Sequence, residues 1–276
     1  MIKKVYQLAD IHIPTYQKLN IYSVQLDKLV KAIKDDVDSS DMSPEEVRII
    51  ICGDLVHSKN LVTNELNVFA STFLRQLSEI AKVICIAGNH DMVESNTARV
   101  DTLSGLFQTA QFENAIFLDM ALDYESGVVY DDNITWALYS FFNDFCAPDI
   151  DSAKEYAPNN KIIGLFHGMI VGSKLYNGFV SDCGSDCSLF EGCDAVMAGH
   201  IHKRQTIKYK NCDVVYAGSP IQQNYGESLT QHGYVIWNID DLTHEYVDIS
   251  SDFGYYDYTI TGISDIEKDK EIINNF

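Results

Sequence analysis

Two pairs of potential metal ligands, each with a one-residue gap, stand near opposite ends of the chain. One pair is Asp10 and His12, and the other is His200 and His202. Alternate residues that leave the end of a strand direct their side chains into one loop-lined space. Neutral imidazole and carboxylate are common ligands of transition metals. Either pair alone is a weak signal, but two such pairs could hold two metal ions.

Three further polar clusters lie between these pairs, and each follows a short apolar run. Residues 53–57 read Gly-Asp-Leu-Val-His, residues 88–91 read Gly-Asn-His-Asp, and His167 ends the run before Gly168. Gly53 lets the chain turn after its apolar run, so that Asp54 enters the site. The clusters therefore add a carboxylate, an amide and several imidazoles to the same candidate centre.

The order of these motifs, D-x-H, G-D-x-x-H, G-N-H-D, a lone histidine and G-H-x-H, resembles the calcineurin-like metallophosphoesterase superfamily. The histidine three residues after Asp54 looks like the SbcD-type nuclease subunit of double-strand-break repair. Residues 216–220 (Tyr-Ala-Gly-Ser-Pro) and 222–227 (Gln-Gln-Asn-Tyr-Gly-Glu) share that likeness. The resemblance covers roughly residues 1–250.

The resemblance implies two metal ions held by seven side chains, and every matched position carries a competent ligand. Asp10, His12 and His202 would hold one ion, Asn89, His167 and His200 would hold the other, and Asp54 would bridge them. A carboxylate suits the bridge because its two oxygens can each face one cation. A neutral imidazole could not bridge without losing its second proton.

Three residues beside these ligands are candidates for catalysis. His90 follows Asn89 and could act on the leaving group as a general acid or an electrostatic stabiliser. We expect Asp91 to orient the His90 ring. His57 would either contact the scissile phosphate or pack against its own loop, and both interpretations remain open.

Phosphodiester cleavage needs a hydroxide, neutralised phosphate oxygens and help for the leaving oxygen, and two metal ions can supply the first two. The resemblance implies a DNA exonuclease or endonuclease subunit that uses Mn²⁺, although iron, zinc or nickel suit the same ligands. The alternative is a calcineurin-like phosphodiesterase or phosphatase that acts on small nucleotides or phosphoproteins. A metal-free scaffold of this fold would lose ligands, and this chain keeps all of them.

The charge of the chain argues against DNA as a substrate. Twenty Lys and Arg residues stand against 40 acids, which gives a net charge of −20, whereas DNA affinity depends on neutralising phosphates. Four basic residues, Lys203, Arg204, Lys208 and Lys210, crowd the segment after His202. We expect Lys203 and Arg204 to contact the substrate, and an ordinary solvated hairpin is the competing interpretation.

The amino-acid composition indicates a chain that can bury a full hydrophobic core and that keeps its cysteines reduced. With 276 residues and 46% hydrophobic content, one large catalytic domain is expected. The sequence has no long apolar stretch and no leader pattern, so a soluble intracellular protein is expected. Seven cysteines are an odd number, which disfavours a disulfide framework. A zinc knot formed by Cys183, Cys187 and Cys193 would lack a regular spacing and a fourth ligand.

Apolar periodicity predicts the elements that must position these residues. Strands at 2–9, 47–52 and 82–87 alternate with helices at 22–37 and 64–81. Such alternation implies a parallel sheet, which places its site at the carboxyl ends of the strands. A further helix is expected after Thr97, through Phe107.

Later segments predict a second sheet. Its expected strands are 115–118, 134–139, 161–166, 194–198, 205–209, 213–216 and 233–237. Together with the resemblance, they imply an α/β fold that is a four-layer α/β/β/α sandwich of two mixed sheets flanked by helices.

The resemblance also leads to expectations about the domains of the chain and its partners. We expect a catalytic domain at 1–250 and a tail at 251–276, with a strand at 255–260 and a helix-compatible end, because the chain stops before a capping domain. Family members dock on an SbcC-type coiled-coil ATPase. The helices at 64–81 and 97–107 correspond to those that pair two subunits, although they could simply cover the sheet.

Overall fold

Two six-stranded β-sheets lie face to face at the centre of the computed structural model, which describes residues 1–96 and 99–256. In chain order the strands are β1 (Lys4–Leu8), β2 (Val47–Cys52), β3 (Lys82–Ile86), β4 (Ala115–Phe117), β5 (Gly127–Asp131), β6 (Ile134–Tyr139), β7 (Lys161–His167), β8 (Ala195–Gly199), β9 (Gln205–Tyr209), β10 (Cys212–Tyr216), β11 (Gly233–Asn238) and β12 (His244–Asp248). The helices are α1 (Leu19–Ser39), α2 (Asn64–Ser78), α3 (Thr102–Ala110), α4 (Leu118–Ala121) and α5 (Ile150–Tyr156).

Both sheets are mixed, with parallel strands at their centres. The first has the order β12-β11-β1-β2-β3-β4, and its strands β1 to β4 run parallel to one another. The second has the order β5-β6-β7-β8-β10-β9, with β6, β7, β8 and β10 parallel. Antiparallel strands complete one edge of the first sheet and both edges of the second, while β4, at the other edge of the first sheet, is parallel.

Apolar side chains form three layers of core around these sheets. The layer between the sheets contains Trp136 and Trp237. Helices α1, α2 and α3 cover the outer face of the first sheet, and Leu29 and Phe73 are among the residues buried there. The outer face of the second sheet is covered by α5 and by the loop that contains Phe190. The predicted four-layer α/β/β/α class is confirmed.

The predicted assignment of two strands to the second sheet is wrong. β4 pairs with β3, and β11 pairs with β1 through the register Lys4↔Asn238. Both belong to the first sheet. Apolar runs identify strands, but they do not specify the neighbour of a strand, because that is chosen by packing between distant segments.

Four short elements were not predicted: α4, α5, β5 and β12. The strands β5 and β12 are partly exposed edge strands with weak apolar patterns. The expected strand at 255–260 extends beyond Tyr256, and the helix-compatible end lies outside the described residues. All seven cysteines are free. No helix within 1–96 and 99–256 has the length and apolar character required to cross a membrane.

Candidate metal centre

The predicted ligands meet where parallel strands of both sheets end. Asp10 follows β1, Asp54 follows β2 and Asn89 follows β3. From the second sheet, His167 ends β7 and His200 follows β8. Strand ends from two sheets therefore supply one cluster, as expected for sites at the carboxyl ends of parallel strands.

Asp54 lies between two groups of ligands. Its Oδ2 atom is 3.5 Å from Nε2 of His12 and 3.4 Å from Nε2 of His167. On one side, Nε2 of His12 is 3.0 Å from Nε2 of His202. On the other, Oδ1 of Asn89 is 3.3 Å from Nε2 of His167 and 3.0 Å from Nδ1 of His200. The members of each group belong to one predicted ligand set, and Asp10 lies close to His12 and His202.

The two oxygens of Asp54 have different neighbours. Oδ2 faces both groups, and Oδ1 accepts a hydrogen bond from the backbone N–H of His90 at 2.7 Å. This bond holds the loop after β3 against Asp54. The bridging role of Asp54 stays a prediction.

Several candidate ligands have an unusual backbone conformation. The φ angles of Asp10, His12, Asp54 and His200 are 52°, 53°, 53° and 93°. Non-glycine residues in this region cost about 1–3 kcal/mol each and cluster at functional sites. Hydrogen bonds from the backbone N–H of Asp10 to the Gly53 carbonyl and from that of His12 to the Asp54 carbonyl hold the two loops together.

Gly53 is required for the close approach of the two sheets. Its φ is +82°, and a Cβ atom there would lie 2.3 Å from Nδ1 of His167. Any side chain would displace the imidazole. The adjacent Cys52 carbonyl accepts a hydrogen bond from Nδ1 of His167 at 2.7 Å. Because Nδ1 is the donor, the neutral ring of His167 carries on Nε2 the lone pair that a metal requires.

Burial and neighbouring charges shift the pKa values of the cluster. Burial raises the pKa of Asp10 to about 6. Burial also opposes ionisation of Asp54, but the adjacent His167 and His12 outweigh it and lower the pKa of Asp54 below its usual range. For His167, burial favours the neutral ring, yet Asp54 raises its pKa to about 9. The cluster thus favours positive charge beside Asp54.

The donor set fits divalent cations. Two fully buried carboxylates, Asp10 and Asp54, share this space with imidazoles, and neither forms an ion pair with Lys or Arg among the described residues. The Nε2 atoms of His12 and His202 lie 3.0 Å apart beside these carboxylates. A cation held by the two Nε2 atoms and the carboxylates would satisfy both kinds of group.

Two of the three predicted catalytic residues, His90 and His57, lie at the solvent side of this cluster, whereas Asp91 is buried. The ring of His90 is 4.6 Å from that of His12 and 5.5 Å from that of His57, centroid to centroid. Nδ1 of His90 is 2.7 Å from the carbonyl oxygen of His57. The side chain of His57 is exposed, so a substrate can reach it. The roles of both histidines stay predictions.

The expected role of Asp91 is corrected by its contacts. Its buried carboxylate accepts hydrogen bonds from the backbone N–H groups of Gly88, Leu55 and Val56 at 2.9, 3.4 and 3.0 Å. The His57 carbonyl, rather than Asp91, is the partner of the His90 ring. Asp91 therefore ties the loops after β2 and β3 together and acts on His90 only through the backbone.

The basic segment after His202 does not form the predicted phosphate track. The side chain of Arg204 is buried, where it pairs with Asp248 and donates to the Val247 carbonyl at 2.6 Å. Lys208 and Lys210 pair with Asp213 and Glu191. Lys203 is the member that lines a cleft beside His200 and His202. Acidic partners on β12 of the first sheet, on β10 and in the loop before β8 therefore neutralise the other three.

Glu227 was not predicted as part of the site. Its Oε1 atom is 2.7 Å from Nδ1 of His202, and its Oε2 atom accepts a hydrogen bond from the backbone N–H of Gln223 at 2.8 Å. The contact to Glu227 raises the pKa of His202, against the effect of burial. A carboxylate that holds a ligand imidazole is a common supporting contact in metal sites. The polar run 222–227 was the signal that could have identified it.

Comparisons with known proteins agree with this geometry. A family model described as calcineurin-like phosphoesterase matches residues 3–204. Uncharacterized protein R555 of Acanthamoeba polyphaga mimivirus is 33% identical over 261 residues, which is 92% of this chain and 18% of that protein. The chain thus spans less than a fifth of the length of this viral relative.

Solved structures with a similar course of the chain were also found. An archaeal phosphodiesterase has a TM-score of 0.41 at 14% identity and covers 89% of this chain and 99% of its own. Vps29 of Entamoeba histolytica, complexed with Zn²⁺, has a TM-score of 0.39 at 14% identity, with 89% and 98% covered. Phosphopantetheinyl hydrolase of Mycobacterium tuberculosis has a TM-score of 0.42 at 12% identity, with 78% and 88% covered.

The family match extends over far more than half of the chain, and the residues that could hold metal ions stand together at the carboxyl ends of its strands. This protein therefore belongs to the calcineurin-like phosphoesterase family.

Proposed function

We propose that this protein is a Mn²⁺-dependent DNA nuclease subunit that hydrolyses phosphodiester bonds in DNA repair or recombination. The observation that carries the proposal is the openness of the metal centre on two sides. A cleft of about 370 Å³ begins at His12 and His57, and another of about 320 Å³ begins at His200 and His202. A chain-like substrate can therefore continue past the centre in both directions.

The residues of the chain would divide the work of hydrolysis. Asp10, His12, Asp54 and His202 would hold one ion, and Asn89, His167 and His200 would complete the site of the other with Asp54. When bound, the ions neutralise phosphate charge and make water acidic enough to supply a nucleophile. Gly53 and Gly88 have no side chains, so the loops that contain them can lie close to Asp54 and His167 and keep these ligands in place.

His90 would act on the leaving oxygen. The carbonyl oxygen of His57 accepts a hydrogen bond from Nδ1 of His90, so Nε2 is the atom that remains for the substrate. In its protonated form the ring carries an Nε2–H, which can be donated to the leaving oxygen as the bond to phosphorus breaks. His57, exposed on the same rim, would contact the substrate phosphate.

Partners form part of the proposal. An SbcC-type coiled-coil ATPase would supply the basic surface that a chain with a net charge of −20 lacks. A second copy would pair through the outer face of α2, where Val68 is 68% exposed although Leu66 and Phe73 on the other face are buried. An exposed apolar residue on the outer face is expected for a helix that contacts a partner.

A second candidate function has its own support. The pairing of Arg204, Lys208 and Lys210 with acids leaves little basic surface near the site. A phosphodiesterase or phosphatase that acts on small nucleotides or phosphoproteins would not need such a surface. The two candidates differ in substrate and share the same metal centre.

A cleavage assay separates the two functions. The protein with Mn²⁺ at low salt would be offered labelled single-stranded and double-stranded DNA and, separately, small phosphodiesters, with Asp10→Asn as the inactive control. We expect cleavage of DNA that stops when the metal is chelated. Rapid turnover of small esters without detectable DNA cleavage would replace the nuclease proposal with the second candidate.

A further inference from the structure

We propose that the cleft beside His12 and His57 is a binding site for one unpaired nucleobase of the substrate. The proposal rests on the proposed action of this protein on nucleic acid, and it names the part of the substrate that is recognised. The cleft is built from four segments that are distant in sequence: residues 12–22, 57–61, 222–223 and 253–255. Their meeting point adjoins the metal centre.

Aromatic rings form much of the wall of this cleft. Tyr16, Phe253 and Tyr255 line it, and the rings of Phe253 and Tyr255 meet edge to face at 5.1 Å between centroids. Tyr16 is 56% exposed, which is unusual for a large ring that could pack against a core. Bases stack on such rings in proteins that bind single strands.

A lysine adds positive charge to the same cleft. Nζ of Lys18 lies 4.4 Å from the centroid of the Tyr255 ring and 5.5 Å from that of Phe253. Lys18 forms no ion pair with an acid in the part of the chain that the structure describes. A cation beside aromatic rings suits a nucleotide, since the rings can hold the base and the ammonium can attract the adjoining phosphate.

The two glutamines of the cleft are occupied by contacts within the protein. The side-chain amide of Gln222 donates to the carbonyls of Glu227 and Tyr255, and its oxygen accepts from the backbone N–H of Tyr255. The side-chain oxygen of Gln223 accepts a hydrogen bond from the Tyr22 hydroxyl. These groups are not free to read the edge of a base, so we expect recognition to come mainly from stacking and to depend little on base identity.

The position of the cleft defines which base it would take. His12 and His57 belong both to the cleft and to the rim of the metal centre. A phosphodiester held at the centre would thus place the nucleotide next to the scissile bond in the cleft. Inside a duplex both faces of that base are covered by its neighbours, so an unpaired base is better able to stack on these rings.

Binding without catalysis tests the cleft directly. The probe is a trinucleotide that contains 2-aminopurine, whose fluorescence falls when it stacks, titrated into metal-free protein in EDTA. We expect saturable quenching, and affinity roughly 5- to 100-fold weaker in Tyr16→Ala and in Tyr255→Ala, as for the loss of one base-stacking contact. Tyr255→Phe should retain most of the affinity because the ring remains.

A matched control removes an aromatic ring elsewhere. Tyr156, on α5, lies tilted against Tyr130 on β5 of the second sheet, with 4.6 Å between ring centroids, and is 76% exposed. Tyr156→Ala should bind the probe as the parent does. Absence of quenching in the parent, or parent-like affinity in both alanine variants of the cleft, would overturn the proposal.

A pair of substrates tests base binding in the cleft separately from the proposed hydrolytic function. Thymidine 5′-(p-nitrophenyl) phosphate and methyl p-nitrophenyl phosphate share a leaving group, and only the first carries a base. We expect a higher kcat/KM for the thymidine ester, with the ratio of the two falling in Tyr16→Ala. Equal values in the parent would contradict the cleft. If neither ester nor DNA is hydrolysed with any divalent metal, the proposed function fails, while the quenching titration still decides on the cleft.

Discussion

At the scale of single residues, the centre is divided into side chains that could touch a metal or substrate and side chains that hold them. His167 and His202 each use Nδ1 for a protein oxygen, on Cys52 and Glu227 respectively. Both rings thereby present Nε2 to the cluster. Such contacts restrict the orientation of a ligand before the metal arrives, which raises the affinity for the metal.

The first prediction concerns Glu227. Glu227→Gln should lower the affinity of one of two metal sites about 10- to 100-fold, because the hydrogen bond that orients His202 becomes weaker. Isothermal titration with Mn²⁺ would measure both sites, and far-UV circular dichroism would show whether the fold is kept. Glu191→Gln, at an exposed pair with Lys210, is the control. An equal loss of Mn²⁺ affinity at both sites would mean that Glu227 maintains the fold of the loop 222–227 rather than the orientation of His202.

The second prediction concerns His90. His90→Asn should leave two metal sites per chain while the rate of ester cleavage falls by roughly 10²- to 10⁴-fold, as for the loss of a proton donor. An ester with a p-nitrophenolate leaving group should be less affected than DNA, because that group needs little protonation. Metal content measured after dialysis checks the assignment, and loss of one ion together with activity would make His90 a ligand.

At the scale of elements, one buried side chain connects the two sheets below the site. The amide of Gln7 on β1 donates to the carbonyl of Ala198 at 3.0 Å and to that of Val215 at 2.8 Å. Its oxygen accepts from the indole N–H of Trp237 at 2.8 Å. The bonds join β1 and β11 of the first sheet to β8 and β10 of the second. They therefore help to align the strand ends that carry the ligands.

The third prediction follows from this connection. Gln7→Leu should destabilise the protein by about 1–3 kcal/mol, because the buried indole N–H of Trp237 loses its acceptor. Urea unfolding followed by tryptophan fluorescence would measure the change. Gln108→Leu, at an exposed position of α3, should change stability far less. If Gln7→Leu has the same free energy of unfolding as the parent, the amide of Gln7 makes no net contribution to stability.

At the scale of the whole molecule, surface charge opposes the proposed substrate. The net charge is −20, and the basic residues after His202 are mostly paired with acids. Lys18 and Lys203 remain at the two clefts without acidic partners in the described ranges. Attraction of nucleic acid thus depends on a few local cations and on bound metal ions.

The fourth prediction measures this dependence. Single-stranded DNA should bind the isolated protein weakly, with a log–log salt slope of about 2 or less, since each phosphate contact contributes roughly 0.7 to the slope for single strands. The double variant Lys18→Gln, Lys203→Gln should lower the salt slope further, whereas Lys208→Gln should leave the slope unchanged. Fluorescence anisotropy at several salt concentrations gives the slope, and a value near 5 would reveal a basic surface elsewhere.

The sequence by itself determined the fold class and the set of candidate ligands. The apolar runs at 47–52 and 82–86 end in polar clusters, and local periodicity suffices to recognise a buried strand and the loop after it. Motif order then identified the family, and the predicted ligands lie together in the structure. These features depend on residues within a few positions of one another.

Tertiary structure alone decided the partners of these residues. The sheet to which β4 and β11 belong, the pairing of Arg204 with Asp248, the backbone contacts of Asp91 and the bond between Glu227 and His202 all join segments whose proximity no local pattern encodes. The aromatic cleft likewise brings residues 16 and 255 together. Strand neighbours and side-chain partners depend on the packing of the whole chain, because each contact competes with many others of similar local chemistry.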